Sequence, residues 1–220
     1  MAELAVWTEP LAESNCYFLH EERACVVIDP NHPQGPLAVL EEHGWVPEWI
    51  LLTHEHCDHM AGMEAVRERY PSVRVLASAA CSIGLASTRL NMSRMMEVYL
   101  TYLGKPGEAY PAFTCRPADV TYERTYEMVW RGHTLRCISL PGHTPGSAGI
   151  FWDESCFFSG DYLLPDREVI LRLPGGSEHD YKTKTKPFLD GLPSGLRICP
   201  GHGAPYRLGE RSGEPWTSAP

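Results

Sequence analysis

Short apolar runs and amphipathic stretches alternate along the first third of the chain. "ELAVW", "NCYFLH" and "ACVVIDP" are rich in β-branched or aromatic residues and bounded by turn residues, which predicts three strands. "PQGPLAVLEEHGW" follows, with a proline near its start and Gly44 near its end, as helices prefer. "EWILLT" is a continuous apolar run and reads as a buried strand. "MEAVRERYP" reads as a helix stopped by Pro71, and "VRVLAS" as a further strand.

The pattern then changes. From about Ala79 to Gly104 it is helical, with Met92, Met96, Tyr99 and Leu103 recurring along one face. "KPGEAYPAF" breaks it. Strand patterns return after that. "TYEMVW" and "TLRCISL" flank Arg131-Gly132-His133, which predicts a hairpin. "SAGIFW" and "SCFFSGD" are separated by an Asp-Glu turn, and "LRICPGHG" is a strand running into a loop. Residues 162 to 187 read as irregular and carry an alternation of Lys182, Lys184 and Lys186. The tail from Arg211 is polar and is expected to fray. Strands at both ends of a helical middle predict an α/β sandwich of two sheets. The expected organisation is one domain over residues 1–210, with a helical insertion at about 80–110.

Composition narrows the functional classes. At 220 residues, 43% hydrophobic and 21% charged, the chain is an ordinary globular protein with enough apolar residues for a core. The net charge of −9 argues against nucleic acid as a partner. It says little about small substrates, because a local site can differ in sign from the whole. "MAELAVWTEP" has no basic start, and no run approaches the roughly 18 apolar residues of a membrane span. No secretory signal and no membrane partner are therefore expected. The eight cysteines form no C-x-x-C pair, which excludes zinc-finger and thioredoxin-like readings. Reduced, buried thiols in a cytoplasm are the expectation. No G-x-S-x-G elbow, P-loop or dinucleotide fingerprint is present.

The chemistry concentrates in "THEHCDHMAG", residues 53–62. If the chain stays extended beyond "EWILLT", His54, His56 and Asp58 share one side, because side chains repeat every two residues. His59 then points elsewhere and can serve a second centre. Imidazole and carboxylate are good ligands for zinc, iron or manganese. Three further candidates follow later strands: His143 in "PGHTPGS", Asp161 in "FFSGD" and His202 in "CPGHG". Each lies at a strand end beside glycine or proline, where a rigid frame can project side chains into a shared mouth.

In that order, "THEHCDH", "GHTPGS", "SGD" and "PGHG" resemble the metallo-β-lactamase superfamily, and most of all its glyoxalase II-like (hydroxyacylglutathione hydrolase-like) branch. "NCYFL" and "VVIDP" also resemble that family's opening strands, and the resemblance runs from about residue 14 to 206. It implies an αββα sandwich with the site at its edge. It implies one metal held by His54, His56 and His143, and a second held by Asp58, His59 and His202, with Asp161 bridging. Flavo-diiron relatives carry an acid where this chain has His56, so the chain does not resemble oxygen-reducing members.

The implied cofactors are two zinc ions, with iron or manganese as substitutes. Zinc lowers the pKa of bound water to about 7, so a bridging hydroxide is available to attack a carbonyl. Asp58 is the candidate for handling the transferred proton. Tyr162, beside Asp161, is a candidate donor to a substrate oxygen, with simple packing the favoured reading. The Met92–Leu103 stripe reads first as packing against a core; the rival, suggested by the long stretch between His59 and His143, is a helical lid in which Met92, Met95, Met96, Tyr99 and Tyr102 form a deformable apolar pocket. Lys182, Lys184 and Lys186 read as a solvated face, or as a grip on a substrate carboxylate. Glu55 is expected to face away from the metals, and Cys57 to be a passive filler.

The leading functional reading is a dinuclear hydrolase of a small thioester, ester or lactone. β-Lactams and phosphodiesters rank below it. A mononuclear non-haem iron thiol or persulfide dioxygenase is the alternative. Glyoxalase II enzymes carry a longer C-terminal region that holds glutathione, and this chain has only a short stretch after His202, which puts a glutathione thioester in doubt. The expected partner is a small-molecule substrate, and a homodimer is left open.

Overall fold

The computed structural model describes residues 1–102, 104, 105, 107 and 111–209. Leu103 and the polar tail lie outside the described residues. The chain divides into two compact units, Met1–Glu123 and the remainder from Arg124.

The apolar runs of the first unit become a six-stranded sheet in the order β1 (Glu3–Thr8), β2 (Asn15–Glu21), β3 (Ala24–Ile28), β4 (Val46–Leu51), β5 (Arg74–Ser78) and β6 (Val120–Tyr122). The first three strands pair antiparallel, and β3 through β6 pair parallel. Parallel neighbours need long crossovers, and each of the three contains helix. Helix α1 (Gly35–His43) joins β3 to β4. It has Pro36 at its start and ends at Gly44, whose φ of 65° is cheap for glycine. After α2 (Cys57–Met60), helix α3 (Met63–Arg69) leads into β5. The core contains Phe18, Val27, Leu40, Ile50, Met63 and Val75.

The crossover from β5 to β6 is the predicted insertion, but it is not one helix. Helix α4 (Ala79–Leu85) stops, and α5 (Met96–Tyr102) starts after a 3-10 turn at Ser93–Met95. Met92 lies in the gap with a left-handed φ of 62°. The apolar periodicity therefore runs through residues that are not helical, although Met92, Met96 and Tyr99 still pack in one cluster.

The second unit holds another six-stranded sheet, in the order β12-β11-β10-β9-β8-β7. Its strands are β7 (Thr125–Trp130), β8 (His133–Ser139), β9 (Ala148–Trp152), β10 (Cys156–Gly160), β11 (Arg197–Pro200) and β12 (Tyr206–Arg207). Only β10 and β11 pair parallel. The predicted hairpin is present, with Trp130 opposite His133. Its turn residues Arg131 and Gly132 both have positive φ, which matches the right-handed strand twist.

The stretch read as irregular is helical in its second half. Helix α6 (Glu178–Asp180) runs through a π-helical turn (Tyr181–Thr185) into α7 (Lys186–Asp190). Phe188 and Leu189 pack with Phe151, Phe157 and Ile198 of the sheet. The lysine alternation was misleading there: Lys182, Lys184 and Lys186 are exposed and pair with Glu178, Asp180 and Asp190, each four residues away. They form a solvated face.

All eight cysteines are buried and unbridged. No helix among the described residues is long and apolar enough to cross a membrane.

Candidate metal centre

In the first unit, the parallel pair β3 and β4 ends side by side. Ile28 lies opposite Leu51, and the Asp29 N–H continues the ladder to the Leu51 carbonyl. Asp29 and Thr53 thus emerge at the same edge. The Asp29 carboxylate accepts the Thr53 N–H at 2.8 Å, the Thr53 hydroxyl at 2.5 Å and the His59 Nδ1 proton at 3.0 Å.

This network fixes two imidazoles. The Thr53 hydroxyl has one proton and gives it to Asp29. Toward His54 Nδ1, 3.1 Å away, its oxygen must therefore accept, so Nδ1 carries the proton. His59 Nδ1 also carries a proton, because its partner is a carboxylate. In both rings Nε2 is the nitrogen left for coordination, the usual arrangement of a metal-ligating histidine.

The extended backbone predicted through Asp58 ends sooner. His56 is extended (φ −62°, ψ 144°), and α2 begins at Cys57. Asp58 and His59 are therefore neighbours on a helical turn and diverge by about 100°. His54 lies 4.8 Å from His56 and 4.2 Å from His59 between ring centroids. Asp58 Oδ2 is 3.9 Å from His59 Nε2. All four are buried, Asp58 being the most exposed at 8%. Donor atoms of Asp29, His54 and His59 lie within 4.8 Å of one another. Because the Asp29 oxygens already accept three hydrogen bonds, its role is to orient. The strand-end position of "VVIDP" was its only signal in the sequence.

Close packing holds this segment. Gly62 leaves no room for a side chain, since a Cβ there would lie 2.2 Å from the His32 carbonyl oxygen. Glu55 is buried against Gly84 of α4. The Cys57 N–H donates to the Asn91 carbonyl at 2.7 Å, and its thiol lies 3.7 Å from Met96 Sδ. Burial pushes the Cys57 thiol well up, which favours the neutral thiol over the thiolate.

The core-packing reading describes Met96 better than a lid pocket does. Met96 is buried with Cys57, Ala12 and Leu100, and Met92 and Tyr99 pack partly against them. Tyr102 is 78% exposed. Six residues apart on α5, Met96 and Tyr102 lie about 120° apart around the helix, so one is buried while the other faces solvent. Met96→Ala should cost about 2–5 kcal/mol in urea unfolding. Tyr102→Ala should stay within about 0.5 kcal/mol and leave KM unchanged. A tenfold rise in KM for Tyr102→Ala would restore the pocket reading.

In the second unit, His143 follows β8, Asp161 follows β10 and His202 follows β11. His143 Nε2 lies 3.3 Å from Asp161 Oδ2, and His202 Nε2 lies 3.5 Å from Asp161 Oδ1. Each carboxylate oxygen thus faces a different imidazole. His143 Nδ1 is 2.7 Å from the Ile170 carbonyl, which can only accept, so this ring also presents Nε2.

Tyr162 differs from its expected role. It is 1% exposed, and its hydroxyl donates to the Leu140 carbonyl at 2.8 Å while accepting the His143 N–H at 2.8 Å. Burial pushes its phenol up to about 12. Its proton is directed at the backbone, so Tyr162 holds the His143 loop and does not donate to substrate.

The donor chemistry fits divalent metal. Buried imidazoles with oriented Nδ1 protons and a carboxylate aimed both ways are the ligands zinc, iron and manganese take. Two mixed sheets whose strand ends carry histidine and aspartate donors define a metallo-β-lactamase-type protein. The model of the Metallo-beta-lactamase superfamily matches residues 10–202, and the chain belongs to that superfamily. It is a metal-dependent hydrolase with the α/β metallo-β-lactamase fold.

The "Probable metallo-hydrolase YqgX" of Bacillus subtilis is 29% identical, over 87% of this chain and 85% of its own length. A hydroxyacylglutathione hydrolase of Photorhabdus laumondii is 42% identical over 83% of this chain. The match spans 58% of that enzyme's length. A crystal structure of BLEG-1 B3 metallo-β-lactamase superposes with a TM-score of 0.77 at 26% identity, covering 94% of each chain.

Proposed function

We propose that the protein is a dinuclear hydrolase of small acyl compounds. The observation that carries the reading is Asp161, whose two oxygens each face a different histidine. Family membership supports His54, His56 and His143 as ligands of one metal and Asp58, His59 and His202 as ligands of the second, with Asp161 shared. Two zinc ions are the proposed cofactors, and the same donors suit iron or manganese. Bound there, they would supply acidified water and polarise a carbonyl.

The protein's own residues do the rest. Asp29 and Thr53 hold His54 and His59 in the coordinating tautomer. The Ile170 carbonyl does the same for His143. Asp58, slightly exposed beside His59, is placed to hold the transferred proton. The proposed substrate is a small thioester, ester or lactone, and the hydroxyacylglutathione hydrolase relative favours an acyl compound over a β-lactam or phosphodiester. The buried, unbridged cysteines support a cytoplasmic setting.

The test is a panel of thioesters, esters, lactones, β-lactams and phosphodiesters with metal-loaded protein, read with an oxygen electrode. Acid release from an acyl substrate without oxygen uptake is the expected result. Oxygen consumption with a thiol or persulfide, and no hydrolysis, would replace this reading with an iron dioxygenase.

A further inference from the structure

The His143 loop is gripped by the helical segment at residues 178–190, and the grip has a specific geometry. Ser177, Tyr181, Thr185 and Leu189 recur at intervals of four. On a regular α-helix such a row drifts by about 40° per step, because 3.6 residues make a turn. The π-helical turn at Tyr181–Thr185 is wider and counters that drift. Thr185 is fully buried and Leu189 nearly so, while Lys182, Thr183, Lys184 and Lys186 face solvent.

The row meets Pro141 and Gly142, the residues just before His143. The Thr185 hydroxyl donates to the Pro141 carbonyl at 2.6 Å. The Ser177 N–H donates to the Gly142 carbonyl at 2.8 Å. Tyr181 lies so close to Gly142 that a Cβ there would be 2.8 Å from its own Cβ. The Tyr181 ring stacks on Tyr162 at 5.8 Å and 15°, and Tyr162 in turn holds the Leu140 carbonyl and the His143 N–H. Four consecutive residues, Leu140 to His143, are thereby fixed.

The geometry points to Thr185 and Tyr181 as positioning residues that set the place of the His143 imidazole through the backbone of Pro141 and Gly142. The proposed function enters only in treating His143 as a ligand. A side chain merely filling space would need no hydroxyl at position 185, whereas a positioning group does.

The test uses the full chain as Thr185→Val, Thr185→Ser and Gly142→Ala. In metal-free, 15N-labelled protein, hydrogen exchange of the His143 ring N–H is followed by NMR. Zinc affinity is then measured by competition with a chromophoric chelator. Thr185→Val should exchange about tenfold faster and bind one zinc ion about tenfold less tightly, the usual scale for a lost orienting contact. Thr185→Ser should match the parent in both. Gly142→Ala, which displaces Tyr181, should repeat the Thr185→Val result and stands in should that variant fail to fold.

Exchange and affinity within twofold of the parent in both Thr185→Val and Gly142→Ala would overturn the proposal. So would equal losses in Thr185→Ser. Faster exchange with unchanged zinc affinity would keep the clamp and remove His143 from the ligand set, so the two readings fail separately.

Discussion

Replacing Asp29 with asparagine should weaken zinc binding and turnover by about 10–100-fold, the range for losing a group that orients a metal-ligating histidine. The carboxylate accepts from the Thr53 N–H, the Thr53 hydroxyl and His59 Nδ1. Asparagine keeps the size but has one accepting oxygen. Its amide nitrogen can only donate, so it opposes at least one of these donors. With its oxygen in the Oδ2 place it keeps the Thr53 hydroxyl and His59 but sets its amide against the Thr53 N–H, which displaces the loop that carries both; with the amide in that place instead, His59 and the Thr53 hydroxyl both lose their acceptor.

Asp29→Ala should be worse. Each buried donor left without an acceptor costs about 1–3 kcal/mol, and Asp29 is only 2% exposed. The alanine variant should therefore lose stability as well as metal, while the asparagine variant should lose mainly metal. Chelator competition and urea unfolding separate the two. An Asp29→Asn protein with zinc affinity within twofold of the parent would remove the orienting role.

The second large effect is expected at Asp161. Its carboxylate is aimed at two imidazoles, at 3.3 and 3.5 Å. Asp161→Ala leaves His143 and His202 in place and takes away the negative charge between them. Metal content should fall, and turnover should drop by about 10³-fold or more. Metal catalysis supplies several kcal/mol of transition-state stabilisation, and about 1.36 kcal/mol is a factor of ten. His56→Ala should follow the same course. An Asp161→Ala protein that retains metal and loses less than tenfold in rate would show that the carboxylate is not shared.

The strands and the strand-end donors were legible because both are local. A run such as "ACVVI" can only be buried, and "PGH" or "SGD" after a strand marks a tight turn that exposes a ligand-type side chain. Asp29 was harder to read. It is one aspartate before a proline, and its role depends on pairing between β3 and β4 that brings Thr53 beside it.

The helical bounds around the Met92–Leu103 stripe were not legible, because periodicity does not reveal where a helix starts. The left-handed residue at Met92 interrupts what the spacing joins. Tyr162 sits next to a ligand in sequence, but its hydroxyl serves two backbone groups from a neighbouring loop, and adjacency carries no direction. The helix at 178–190 was hidden by alternating lysines, whose period of two suits a strand. Their acidic partners four residues away are what a helix provides.

The account stands on divalent metals bound by the protein and required for hydrolysis. The direct measurement is metal content per chain of untagged protein, paired with turnover before chelation, after chelation and after zinc is returned. About two ions per chain, loss of hydrolysis on their removal and recovery on their return are the predicted results. Full hydrolysis by protein from which all metal has been stripped would contradict it.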